Sequence, residues 1–104
     1  MEQYKVFIRS TAKEDLRGIF RYITEALYEP EIAEDICISI ETAICSLRQL
    51  PLRHGVILEE PFSLREIRKM PVKNYIIFYT VDNELKEVHV LRVIYSRSDW
   101  QNTE

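Results

Sequence analysis

The chain has 104 residues, 46% of them hydrophobic and 30% charged, with a formal net charge of −3. That length implies one domain around one core. No stretch approaches the roughly 18 consecutive apolar residues of a membrane span, and Met1-Glu2-Gln3-Tyr4-Lys5 opens no apolar signal segment, so the expected location is the cytoplasm. An acidic balance also argues against a nucleic-acid enzyme, whose working face is usually basic. The charge is uneven. Residues 1–60 hold seven Lys/Arg against eleven Asp/Glu, a net of −4, and residues 61–104 hold seven against six, a net of +1. Only the C-terminal part can present a cationic surface, and it is no basic stripe.

In chain order, residues 4–9 are β-branched and aromatic and predict a strand. Thr11 and Glu14 have the spacing of a capping box. Leu16, Ile19, Phe20, Ile23 and Leu27 then form one stripe of a helix over about 12–28. Pro30 suits the first position of a second helix. Glu31, Glu34 and Asp35 favour the positive end of its dipole. Ala33, Ile36, Cys37, Ile40, Ala43, Ile44 and Leu47 make its buried stripe, while Ile32 and Ile38 fall off it. Pro51 ends this helix. The short link between the helices makes them an antiparallel hairpin.

Residues 51–63 carry two prolines and a glycine and predict a loop. Three strands follow, at 64–72, 75–81 and 88–95, with a turn at Asp82-Asn83-Glu84. The tail after Tyr95 is polar apart from Trp100. The order β-α-α-β-β-β predicts an α+β fold, a helix hairpin packed on one face of a mainly antiparallel sheet. Cys37 and Cys45 lie about 12 Å apart along one helix, too far for a disulfide, and are expected to be buried thiols. His54 and His89 stand far apart, and no Cys–His spacing suits zinc. No cofactor and no small-molecule substrate are implied.

Several segments carry a resemblance. Ser10-Thr11-Ala12-Lys13-Glu14-Asp15-Leu16, Leu50-Pro51 with Gly55, Leu64-Arg65-Glu66-Ile67-Arg68, Asn74-Tyr75 with Tyr79 and Val81, and Leu91-Arg92-Val93-Ile94-Tyr95-Ser96-Arg97-Ser98-Asp99-Trp100 occur in order over nearly the whole chain. Together they resemble the RelE/ParE superfamily of bacterial toxins. The resemblance implies a toxin that arrests growth when free, with a cognate antitoxin as partner. It also implies one of two targets. RelE-like members cut messenger RNA on the ribosome; ParE-like members inhibit DNA gyrase by binding.

RNA cleavage without a metal needs a base, an acid and a cation at the phosphoryl group. RelE-like toxins carry an arginine just after the tyrosine of the middle strand; here that position is Ile76, which supplies neither charge nor proton. The remaining catalytic candidates of a nuclease are Arg68, Tyr95 and Arg97. Tyr95 stands where many relatives have histidine, and the bland reading makes it an aromatic finishing a strand. Arg68 and Arg92 are expected near each other on adjacent strands, holding phosphate or else paired with Glu66 and Asp99.

A ParE-like inhibitor needs surface rather than chemistry, and the long hairpin and acidic charge favour that branch. Arg92 and Trp100 are its target-binding candidates, Trp100 as an interface anchor. Ile32, Ile38, Ile57 and Phe62 are the antitoxin-binding candidates, with core filling under the long loop as the alternative. A decayed toxin that only binds antitoxin is the third reading.

Overall fold

The computed structural model describes residues 3–58, 60 and 62–97. Strand β1 (Lys5–Ile8) leads into helix α1 (Ser10–Arg21), which widens into a π-helical turn over Tyr22–Ala26. Helix α2 (Pro30–Ser46) returns along it. After two short 3-10 turns at Pro51–Arg53 and Phe62–Arg65 come β2 (Arg68–Val72), β3 (Tyr75–Asp82) and β4 (Glu87–Tyr95). The sheet order is β1-β4-β3-β2. β2, β3 and β4 form an antiparallel meander, and β1 joins β4 in parallel. Parallel pairing needs a long crossover, which the helix hairpin supplies. The fold is the expected α+β architecture.

The hairpin covers one face of the sheet. Ala12, Ile40, Ile44, Leu47, Met70, Ile77, Tyr79, Val88, Val90 and Val93 form the main core there. The opposite face carries a smaller cluster of Ile57, Ile67 and Phe78, flanked by Ile76, Leu91 and Ile94. Residues 55–57 make that second cluster possible. Val56 bridges Arg68 in antiparallel fashion, and the Ile57 N–H donates to the Ile67 carbonyl at 2.8 Å, so the segment lies as a strap beside β2.

Four local expectations change. Thr11 and Glu14 form no capping box: α1 begins at Ser10, its N-cap Arg9 has no side-chain cap, and the Thr11 hydroxyl instead donates to the Leu91 carbonyl at 2.7 Å. The stripe through Leu27 is not one α-helix, because the Leu27 N–H bonds back five residues to Tyr22 and Tyr28 takes a positive φ of 56° that closes the hairpin. β2 starts at Arg68 rather than Leu64, since residues 62–65 coil into a 3-10 turn and Glu66 turns left-handed at φ 50°. Cys37 is half-buried and Cys45 is exposed, and both are free thiols; burial and the nearby Glu41 push the Cys37 thiol pKa up. No helix among the described residues is long and apolar enough to cross a membrane.

Candidate functional site

The site is built on a β-bulge. Phe78 pairs with Arg92 but Tyr79 pairs with Val90, so Leu91 is skipped. An extra residue in one strand tilts the local side chains and frees backbone groups. Helix α1 takes up those groups. Thr11 binds the Leu91 carbonyl, and Asp15, one turn further on, accepts the Val93 N–H at 2.9 Å. The Asp15 carboxylate also receives Arg92 in two contacts, Nε at 2.8 Å and Nη2 at 3.0 Å. Bidentate charge-assisted bonds of this kind are both strong and directional. Hydrogen bonding to Asp15 pushes the Arg92 pKa further up. Arg92, itself partly exposed, is therefore neutralised by Asp15, a residue of α1 far from it in the chain.

Beside this clamp a groove of about 800 Å³ opens between the hairpin and the end of the sheet. Tyr22, Leu27, Ile32 and Ile36 line its helical side, and Tyr75 and Tyr95 its strand side. Tyr75 and Tyr95 are cross-strand partners whose rings meet edge-on at 5.6 Å. Burial, then Tyr95, raises the Tyr75 pKa. Arg92 is the only cation in the groove lining among the described residues, against Glu14, Asp15 and Glu29.

The nuclease candidates are not brought together. Arg68 pairs in register with Tyr79 and Tyr95 with Tyr75, so they flank β3 on opposite sides, separated by about 13 Å along the strand and about 10 Å across it. Arg68 donates to the His54 carbonyl at 2.6 Å and to the Leu52 carbonyl at 3.4 Å, holding the loop after α2. Next to it the buried Tyr79 hydroxyl donates to the Pro51 carbonyl at 2.6 Å. Arg68 and Arg92 are not on adjacent strands, because β3 lies between β2 and β4. Arg97 is exposed in the turn after β4. Ile76 joins Ile57, Ile67, Phe78, Leu91 and Ile94 in the apolar cluster of the outer face. A cleft of about 410 Å³ beside it includes Arg53, His54 and Lys69. There Arg53 is engaged in capping α2, donating to the Gln49 carbonyl and the Ser46 hydroxyl, each at 2.7 Å. Burial and Arg53 hold the His54 pKa below its ordinary value.

Of the antitoxin-binding candidates, Ile32 and Ile38 are 48% and 53% exposed, while Ile57 is 1% exposed and fills the outer cluster. Ile57 is the core residue that the strap turns inward, and it offers no surface. Trp100, Asp99 and the side chain of Phe62 lie outside the described residues. The groove itself is what the sequence did not disclose. Its signal was Ile32 standing off the buried stripe.

The fold is shared with chains of known toxin–antitoxin systems. A model of the ParE toxins of type II toxin–antitoxin systems matches residues 6–100. The chain belongs to this ParE toxin family. Among solved structures, it is similar to a chain of the chromosomal ParDE system from P. aeruginosa, at 20% identity and a TM-score of 0.72, covering 89% of this chain and 96% of that one. It is also similar to a chain of the toxin–antitoxin complex RelBE2 from Mycobacterium tuberculosis, at 27% identity and a TM-score of 0.64, covering 91% of this chain and 93% of that one. No curated protein matches the sequence.

Proposed function

We propose that this ParE-family toxin arrests growth without catalysis, by binding DNA gyrase, and that a cognate antitoxin holds it inactive. The observation that carries the reading is the surrounding of Ile76. Where an RNA-cutting relative has an arginine, this chain has an isoleucine packed with Ile57, Ile67 and Phe78. Two of the arginines that could hold phosphate are engaged, Arg92 by Asp15 and Arg68 by loop carbonyls, and the exposed Arg97 lies in the turn after β4. A cation that already satisfies a carboxylate or a turn must break those bonds before it can stabilise a transition state. Binding demands no such chemistry, and an exposed apolar groove supports it.

The test is expression without antitoxin. Growth arrest, intact messenger RNA by primer extension and loss of gyrase supercoiling are the expected results. Discrete messenger RNA cuts in arrested cells would replace this reading by the RelE-like one. Unimpaired growth at full expression would mark a decayed toxin that only binds antitoxin.

A further inference from the structure

We propose that the outer-face cleft between the strap and β2 is where the toxin grips its protein target, and that the segment gripped carries a carboxylate beside a large apolar side chain. This rests on the reading of the chain as a non-catalytic inhibitor and adds a place and a chemistry to it. The carboxylate follows from charge. Residues 48–73 hold six Lys/Arg against three Asp/Glu, a net of +3, and the rest of the chain holds eight against fourteen, a net of −6. Within that cationic segment the cleft of about 410 Å³ is lined by Arg53, His54 and Lys69 together with Val56, Pro71 and Ile76, and by no Asp or Glu among the described residues. Lys69 already has an interaction within the chain, and burial and Arg53 keep His54 neutral at neutral pH. The charge that counts is that of Arg53 and of Arg68 behind the wall.

Both guanidiniums are fixed by neutral acceptors and paired with no carboxylate among the described residues. Arg68 commits Nη1 alone, to the carbonyls of Leu52 and His54. Arg53 commits Nη1 and Nη2 to the end of α2, whose dipole offsets about half of one charge. A guanidinium carries five N–H donors, so each can add a bond without giving one up. The two charges converge: burial raises the Tyr79 pKa while Arg68 and then Arg53 oppose it. The wall is stiff as well. The Tyr79 hydroxyl holds the Pro51 carbonyl, Arg68 holds that of His54, and the Lys69 N–H donates to that of Gly55. A seat held this way loses little freedom on binding. The apolar part follows from Val56, Pro71 and Ile76, which leave room for an anchoring side chain beside the charge. A nucleic-acid strand fits less well. It runs beyond the cleft by more than the screening length of about 8 Å, over a remainder with a net of −6, whereas a short acidic segment ends within it.

The experiment sets the full chain against DNA gyrase in a supercoiling assay. Gly55→Glu puts a carboxylate into the cleft, at a site with no positive φ where a Cβ meets nothing within 4 Å. It should raise the half-inhibiting concentration about tenfold or more. Gly55→Gln, and Thr42→Glu at an exposed site on α2, should leave that concentration unchanged, with circular dichroism the same for all. An equal loss in Gly55→Gln would show that bulk rather than charge is read, and would overturn the carboxylate. A second measurement follows backbone amides by NMR as the chain is titrated with a short peptide alternating leucine and glutamate, with its lysine counterpart, and with a single-stranded RNA of the same length. The glutamate peptide alone should shift Gly55, Val56 and Ile76, less so as salt rises. Shifts there with the RNA and none with the glutamate peptide would overturn the proposal. A chain that inhibits gyrase equally well as Gly55→Glu removes the cleft and leaves the inhibitor reading intact. A chain that leaves gyrase active but takes the glutamate peptide at Gly55 removes gyrase as target and upholds the chemistry of the cleft.

Discussion

The two faces of the sheet are built from the same kinds of residue and differ in what backs them. Under the hairpin, Ile77, Tyr79, Val88, Val90 and Val93 meet two helices that are themselves tied together and to the bulge. On the other face Ile67 and Phe78 pack with Ile57 of the strap, which among the described residues is attached through one bridge and a few backbone bonds. Burial alone does not separate the two, since Ile77 and Ile57 are both almost fully enclosed. What separates them is how far the cover can relax into a void.

The largest expected effect tests that difference directly. Ile77→Ala should cost about 4 kcal/mol, towards the upper end for a rigidly backed core site, and Ile57→Ala about 2 kcal/mol, because the strap can settle into the space. Urea denaturation of the two variants measures both, and equal losses would show the strap to be as stiff as the hairpin. Next comes the clamp. Asp15→Ala should destabilise by about 1–2 kcal/mol, since it removes the acceptor of the Val93 N–H while the partly exposed Arg92 guanidinium turns to water. Adding Arg92→Ala to that variant should cost less than Arg92→Ala does alone, as coupled partners require; strict additivity would show that the pair does not act as a unit. Tyr79→Phe should lose about 1 kcal/mol by removing the buried bond to the Pro51 carbonyl.

The smallest effect is a pH dependence on the strap side. The folded pKa of His54 is depressed by burial and then by Arg53. The unfolded state therefore binds its proton more readily. Stability from this group is present above the unfolded value, near 6.5, and is lost as pH falls through the lower folded value. His54→Gln should flatten the denaturation midpoint between about pH 7 and pH 5; an unchanged slope would place the acid sensitivity elsewhere.

The element order was legible because periodicity changes visibly from helix to strand, and because Pro30 and Pro51 bracket α2. The start of β2 was not, since Leu64-Arg65-Glu66-Ile67 alternates like a strand while its backbone turns. Ile57 looked surplus because the strap that buries it is set by long-range pairing with Ile67. Thr11 and Asp15 carried ambiguous signals. Each has an ordinary local use near a helix start, and only the bulge between Leu91 and Arg92, which no local pattern announces, gives them their long-range partners. The groove was half legible, through Ile32 but not through Tyr22, Tyr75 and Tyr95, which sequence placed on three separate elements.

The clamp also makes the hairpin a lever with a fixed foot and a free end. Thr11 and Asp15 hold the first turns of α1 to β4, while among the described residues no hydrogen bond ties Tyr22–Glu29 at the far end to the strands. A residue inserted between Arg9 and Asp15 would rotate everything beyond it by about 100° and carry the carboxylate away from the bulge. The same insertion between Arg21 and Pro30 would only lengthen the arm. Chains of this architecture can thus acquire new reach at the tip without retuning the joint that aims it.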